Sequence, residues 1–438
     1  MDADLARGQM AMSLAFHIVF AAVGVAMPAL MVAAEALWLR TGNREYEALA
    51  RAWAKGTAVL FAVGAVSGTV LSFELGLLFP GFMARAGALI GPGFALEGVA
   101  FFTEAIFLGI YLYGRERVPP RLHLAAGVAV AVSGLASAAL VTLVNAWMQH
   151  PRGFSVDPAT GAWLDLDPWA ALVNPYAVHQ LLHSLPGYYM ATCLCAAGVH
   201  AVGLLRAPGS GFHRKALGIA LAVAAPATLV MPLTGHLAGQ RVGEMQPMKL
   251  AAMESQFVTE TWAPLRIGGI PDEEARETRW AIEIPGGLSF LATNRLDGVV
   301  RGLEEFPRED WPSPLVHYAF QVMVGLGTAL AALMAWAGFL RLRRKAWPEH
   351  PWFLRAVVAA GPLAFVALQA GWVVAEVGRQ PWIAYGALRT RDMATPMPGL
   401  IVPFVTIGLV YVGLAAATTF VLLRIFGGTP GLGREAAP

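Results

Sequence analysis

A chain of 438 residues that is 57% hydrophobic and only 14% charged, with a mean hydropathy of +0.56, is far too apolar for a soluble protein of this length and reads as a polytopic membrane protein. Its net charge of +2 says nothing by itself about partners; no nucleic-acid partner is expected, and in such a chain the placement of charge carries the information. Cys193 and Cys195 stand two apart in an apolar run, about 200° apart on a helix, so they cannot bridge each other and read as small core residues.

Apolar runs of about 20 residues predict nine spans, at roughly 11–38, 53–80, 93–114, 122–148, 179–205, 215–237, 315–340, 354–378 and 398–425, an all-α bundle in a lipid bilayer. The first is too long and too Met-rich for a cleaved signal peptide, contains His17, ends in Glu35 and Arg40, and is expected to stay in the mature protein. Basic residues cluster after spans one, three, five and seven: Arg40, Arg44, Arg51 and Lys55; Arg115, Arg117 and Arg121; Arg206, Arg214 and Lys215; Arg341, Arg343, Arg344, Lys345 and Arg355. The opposite short loops hold only Arg85, Arg152 and the group Arg379, Arg389 and Arg391, so the positive-inside rule places the N-terminus outside and the C-terminus in the cytoplasm.

One connection is long. It divides the chain into helices one to six (1–237), an outer loop (238–314), and helices seven to nine with a cytoplasmic tail (315–438). The loop carries the acidic run Asp272, Glu273, Glu274 and Glu277 and the group Glu304, Glu305, Glu309 and Asp310. Its opening, GQRVGEMQPMKLAAMESQF, reads as a short ordered element, and the Gly, Pro and Glu content from residue 264 onward predicts a mobile flap.

The polar residues inside the spans share a level. His17 falls in the outer third of span one and Glu74 near the outer end of span two; span three starts outside with Glu97 and carries Glu104 two turns deeper on the same face. Span five opens with His179 and His183, and span seven with His317 and Met323. Span eight closes on GWVVAEVGRQPW, which puts Glu376 near its outer end and Arg379 one turn later. An acidic residue at the centre of a membrane helix costs roughly 3 kcal/mol and persists only with a partner. For Glu376 that partner is either Arg379 or a metal or proton; Glu97 and Glu104 have no Lys or Arg inside the spans to serve them, those within the bounds lying at the cytoplasmic ends. Histidines that merely fill a core have no reason to share a depth.

A histidine, a methionine and a glutamate inside a membrane bundle suit haem iron, for which imidazole and thioether are usual axial ligands. The chain has no Cys-x-x-Cys-His run, so such a haem would be held non-covalently. Two other readings use some of the same residues. A membrane cytochrome b that only passes electrons would need six-coordinate haems throughout, and a haem-free proton-coupled transporter would explain the glutamates but not a matched His and Met.

Six motifs in order carry a resemblance: RGQMAMSLAFH around His17, GTVLSFELG around Glu74, EGVAFFTEAIFLGIYLYG around Glu97 and Glu104, QPMKLAAMES in the long loop, VMVGLG around Met323, and GWVVAEVGRQPW around Glu376. From about Arg7 to about Pro398 the chain resembles the large haem-bearing subunit, subunit I, of the cytochrome bd-type quinol oxidases, in their short-loop, cyanide-insensitive branch. The resemblance implies that His183 and Met323 ligate a low-spin haem b, and that His17 and Glu376 each hold one haem of a high-spin pair, one a haem b and the other a haem d or a third haem b. It implies further that Glu97 and Glu104 serve that pair and its proton supply, that Arg379 stands beside it, and that Lys249 and Glu254 form the quinol site, where their spacing of five suggests one shared helix face. One departure stands out: two residues before Met323, where many members carry arginine, this chain has Gln321. The implied partner is a second membrane subunit, with or without small single-span subunits, in the bacterial cytoplasmic membrane. The implied reaction is oxidation of quinol on the outer face, coupled to reduction of oxygen to water and a proton gradient.

Overall fold

A computed structural model describes residues 2–427; the last part of the expected tail lies outside the described residues. Among these residues nine helices are long and apolar enough to cross a membrane: α1 (Asp2–Thr41), α2 (Arg44–Leu78), α3 (Pro80–Tyr113), α4 (Pro120–Gln149), α6 (Pro175–Arg206), α7 (Gly211–Met245), α10 (Leu315–Arg344), α11 (Pro351–Val377) and α13 (Ile401–Gly427). Most run past the apolar windows read from sequence, because polar ends continue the helix until a cap or turn stops it. Asn43 caps α2 by accepting from the Glu45 N–H at 2.9 Å, and Asn174 caps α6 through the Tyr176 N–H at 2.9 Å.

The helices form two squares. In the first, α1 packs on α2 and α4, and α3 packs on the same two; in the second, α6 and α10 each pack on α7 and α11. Diagonal helices in such a square face one another across its centre, where cofactor sites of helical bundles are built. Contacts of α1 and α4 with α6 join the squares, and α13 lies outside them against α1 and α2. The joining core is rich in small residues, among them Ala22, Ala26, Ala191, Ala197, Ala220, Ala224, Ala360 and Ala364. Membrane helices approach closely through such residues. A Cβ on Gly361 would come within 2.9 Å of Cys195 Cα, so α11 rides on the α6 backbone there. Cys193 and Cys195 are both free thiols in this packing.

At one end of the molecule the connections α1–α2, α3–α4, α6–α7 and α10–α11 are short; the other end holds every strand and short helix. At the short-loop end Glu47 lies among Arg44, Arg51 and Arg115 at 3.1, 2.7 and 3.7 Å. At the loop-rich end stand a hairpin of β1 (Ser155–Val156) and β2 (Trp163–Leu164), α5 (Pro168–Leu172) and α8 (Pro247–Glu254). The segment after residue 264, expected as a flap, is instead built from β3 (Leu265–Ile267), β4 (Ile270–Asp272), β5 (Glu277–Arg279), β6 (Ile282–Ile284) and α9 (Gly287–Thr293). Strand β3 pairs antiparallel with β6, and β4 with β5. A last hairpin, β7 (Trp382–Ala384) with β8 (Leu388–Arg389), and the single turn α12 (Thr390–Met393) follow α11. Tyr385 N–H donates to Met148 O at 2.9 Å and ties that hairpin to the end of α4.

Candidate functional site

His183 and Met323 each stand eight residues into their helices, from Pro175 of α6 and Leu315 of α10, counted from the loop-rich end. At 1.5 Å per residue each lies about 12 Å along its helix from that end, on diagonal helices of one square. The flanking helices present glycine to them: a Cβ on Gly235 of α7 would fall 3.3 Å from His183 Cε1, and one on Gly371 of α11 would fall 3.1 Å from Met323 Sδ. His179, one turn earlier, sets its ring edge-on against Tyr176 with centroids 4.3 Å apart, and its Nδ1 has no partner.

Both candidate histidine ligands are oriented in the same way. His17 Nδ1 lies 2.9 Å from Ser67 Oγ of α2, and His183 Nδ1 lies 3.2 Å from Thr234 Oγ1 of α7. Each hydroxyl also donates back to its own helix, Ser67 to Val63 O at 2.9 Å and Thr234 to Val230 O at 3.2 Å. The hydroxyl proton is therefore spent, so the oxygen accepts from Nδ1–H, and Nε2 keeps its lone pair for a metal. A Cβ on Gly68 would sit 3.0 Å from His17 Cε1. Ser67 and Thr234 were not found from sequence, where a hydroxyl in an apolar helix carries no signal of its own.

Glu376 lies at the seam between the squares. Its Oε2 pairs with Arg379, and its Oε1 accepts from Asn145 Nδ2 of α4 at 2.6 Å. Asn145 Oδ1 in turn accepts from Gln180 Nε2 at 2.7 Å. Arg379 is 3% exposed; it donates from Nη1 to Trp382 O at 3.0 Å and to Ile383 O, and its Nε is buried without a partner. The ion pair weighed for Glu376 in the sequence is thus present, inside a larger polar cluster. Glu97 and Glu104 both face α4: Glu97 Oε1 accepts from Ser137 Oγ at 2.8 Å, and the buried Glu104 carboxylate packs where a Cβ on Gly134 would meet Oε1 at 3.1 Å. Glu74 is held by Gln9 Nε2 at 2.8 Å. His317 does not face the interior of its square: Nδ1 meets Met253 O at 2.9 Å and Nε2 meets Gly268 O at 3.2 Å.

The expected common face of Lys249 and Glu254 is not what α8 presents. Five residues are about 140° around a helix, and the two side chains diverge. Lys249 Nζ donates to Gln149 Oε1 at 2.5 Å and to Ala375 O at 3.2 Å, beside Glu376. Glu254 lies within electrostatic reach of Arg266 of β3, and its Oε2 has no partner. Both are buried, at 2% and 4% exposure. Burial, aided by the nearby Arg379 and opposed by Glu376, brings the Lys249 ammonium down to about 7. Burial pushes the Glu254 carboxyl up to about 8, against the pull of Arg266. Gln321 spends both ends of its amide on the loop: Nε2 donates to Arg266 O at 2.9 Å, and Oε1 accepts from Gly268 N–H at 3.0 Å.

Two helical squares that carry single His and Met donors, with a Glu donor at the seam between them, define a membrane protein of the cofactor-holding bundle class. Residues 5–430 match the family model described as cytochrome bd terminal oxidase subunit I, and the chain belongs to that family. It is 38% identical over 97% of its length to a Bacillus subtilis protein with the provisional name cytochrome bd menaquinol oxidase subunit I, covering 96% of that protein. It is 28% identical to the cytochrome bd ubiquinol oxidase subunit 1 of the same organism, over 96% of this chain and 92% of that one. The solved structure of the bd oxidase from Geobacillus thermodenitrificans superimposes with a TM-score of 0.91 at 38% identity, over 98% of this chain and 99% of that one. The chain is thus a multi-pass membrane subunit of a terminal quinol oxidase, an oxidoreductase of the respiratory chain that works with haem, and the family forms multisubunit complexes.

The donors present fit haem. No group of three or more His, Cys, Asp or Glu side chains able to hold a bare metal ion occurs among the described residues, whereas haem iron asks the protein for only one or two. Nε2 is left open on His17 and His183, glycine faces three of the candidate donors, and Arg379 keeps a buried unpaired N–H.

Proposed function

We propose that the loop-rich end is the outer face, with the N-terminus outside and the C-terminus in the cytoplasm, and that the protein sits in the bacterial cytoplasmic membrane beside a second membrane subunit. The segment 238–314 is the quinol-binding loop between helices one to six (1–237) and the remainder (315–438). His183 and Met323 hold a low-spin haem b; His17 and Glu376 hold the two high-spin haems, a haem b and a haem d or third haem b. Bound there, haem supplies one-electron transfer and the reduction of oxygen.

The chain's own residues do the rest. Lys249 and Glu254 bind quinol and take its proton, which leaves on the outer side. Glu97 and Glu104, held against Ser137 and Gly134 of α4, carry protons toward the oxygen site from the cytoplasmic side, which makes the reaction build a proton gradient. Arg379 neutralises Glu376 and offers its free N–H beside it. The observation that carries this reading is that His183 and Met323 stand equally far from the loop-rich ends of two diagonal helices, with His183 Nδ1 beside a Thr234 hydroxyl whose proton goes to its own helix.

The test is the reduced-minus-oxidised optical spectrum of variants of the assembled complex. His183→Ala is expected to remove the sharp low-spin bands and leave much of the high-spin signal, while His179→Ala spares them. Loss of the bands in the His179 variant alone would overturn the ligand assignment.

A further inference from the structure

The C-terminal end of α8 carries an unfinished site. Glu254 is 4% exposed and its Oε2 has no hydrogen-bond partner, a cost that a native fold keeps only where something else meets the atom. Arg266 stands on β3 next to this end of the helix. Its Nη1 donates to Oε1 of Gln256, two residues beyond Glu254, at 2.6 Å, and its Nε donates to Glu283 Oε1 on β6 at 2.9 Å. A guanidinium has five N–H groups, so three remain to be used. Arg266 makes no ion pair with Glu254 among the described residues, and each keeps capacity for a third group.

The strand is held in place from several sides. Gln321 of α10 grips Arg266 O and the Gly268 N–H; His317, one turn earlier, spans Met253 O and Gly268 O. Thr278 of β5 donates to Ser255 O at 3.1 Å and lies 2.9 Å from Ser255 Oγ. These bonds join residues 253–256, which carry the carboxyl, to residues 266–278, which carry the cation.

We propose that Arg266 is a substrate-positioning residue of the quinol site, binding the quinol head-group oxygen through its free N–H groups while Glu254 takes the proton from that oxygen. This rests on the assignment of Glu254 to quinol oxidation. In the step, the quinol O–H bond breaks, the proton goes to the Glu254 carboxylate, and the electron pair stays on oxygen as a quinolate facing the guanidinium. The electrons then leave in the established reaction, with oxygen as the oxidant. Charge-assisted, planar donation of this kind is the strong form of hydrogen bond to an anionic oxygen.

The elements packed against α8 carry other charged or titratable groups, namely Arg241 and Glu244 of α7, His317 of α10, and Glu304 and Glu305 of the turn at 303–305, and Lys249 lies on α8 itself. Of the charges around it, Arg266 is the one that draws Glu254 down against burial.

The experiment uses the complete oxidase with Arg266→Gln, Arg266→Lys and Glu254→Gln, and follows oxygen uptake against pH with a short-chain quinol and with an artificial donor that bypasses the quinol site. Arg266→Gln is expected to raise the KM for quinol about tenfold or more and to move the rising limb of the quinol pH profile to higher pH, with the artificial-donor rate and haem content kept. Arg266→Lys keeps the charge but loses the fork, so its limb stays near that of the native protein while KM rises. A limb and KM unchanged in both variants overturn the proposal; a raised KM with an unmoved limb in Arg266→Gln reduces Arg266 to a strut of the loop and overturns it too. If Arg266→Gln does not assemble, Arg266→Lys decides, an unchanged KM counting against the proposal. Full quinol turnover in Glu254→Gln would instead sink the underlying site assignment, whereas a dead Glu254→Gln with a normal Arg266→Gln fails this inference alone.

Discussion

Asn145 Nδ2 donates to Glu376 Oε1 at 2.6 Å across the seam between the two helical squares. With Arg379 on the other oxygen, this fixes the carboxylate in one orientation, and it couples α4 of the first square to α11 of the second. Asn145 is itself held by Gln180, so the bond belongs to a chain of amides and not to a single rotamer.

Removing that donor leaves a buried carboxylate oxygen unpaired, which costs about 1–3 kcal/mol. Asn145→Leu should therefore lower the thermal stability of the complex and, with Glu376 holding a haem as proposed, perturb that haem while sparing the low-spin bands. Asn145→Asp, which sets a like charge against Glu376, should do so more severely. Thermal melts read together with the difference spectrum check this, and an Asn145→Asp protein matching the native one in both would refute the coupling.

Gly68 and Gly235 predict opposite spectral lesions. A methyl at Gly68 would come 3.0 Å from His17 Cε1, and one at Gly235 would come 3.3 Å from His183 Cε1. Gly68→Ala should thus lose high-spin haem and keep the low-spin bands, and Gly235→Ala should broaden or shift the low-spin bands alone. The first contact is tighter, so the first lesion should be larger. Equal, global loss of haem in both would show that the glycines serve helix packing instead.

If His17 and His183 hold haem as proposed, Ser67 and Thr234 beside their Nδ1 atoms set the ligating tautomer, and groups of this kind are worth about 10–100-fold in metal affinity. Thr234→Val keeps the shape and removes the acceptor, so the low-spin centre should persist with a shifted potential and be lost more readily in detergent. Thr234→Ser should restore it. A redox titration of the isolated complex distinguishes the three proteins.

What the sequence disclosed follows from contrast. His17, Met323, Glu104 and Glu376 stand out because each is unlike the apolar run around it, and nine runs of membrane length leave little freedom in the helix count. Their supports do not stand out. Ser67 lies 50 residues from His17 and Asn145 lies 231 from Glu376, and no periodicity links positions that only helix packing brings together. The strands after residue 264 escaped because runs of three residues are too short to show alternation, and their order depends on Gln321, His317 and Thr278 gripping backbone atoms. The divergence of Lys249 and Glu254 follows from helix geometry once α8 is known to extend through both.

Those two buried groups give the oxidase opposing pH dependences. Glu254 titrates near 8 in the fold, against an ordinary value of 4.5. Between these pH values the folded state holds a proton that the unfolded state releases, so stability falls as pH rises through that window. Lys249 titrates near 7 in the fold, against 10.5; there the unfolded state holds the extra proton, and stability rises with pH between these limits. Each contributes a slope of about 1.4 kcal/mol per pH unit within its window. Their joint contribution should fall up to about pH 7, stay level from about 7 to 8 where the slopes cancel, and rise above that. Glu254→Gln should abolish the fall and Lys249→Met the rise, each leaving the other limb in place. Melting temperatures of the three proteins across this pH range, taken at one scan rate in one detergent, check the prediction. A Glu254→Gln profile that still falls toward neutral pH would show that the carboxyl is not the group responsible.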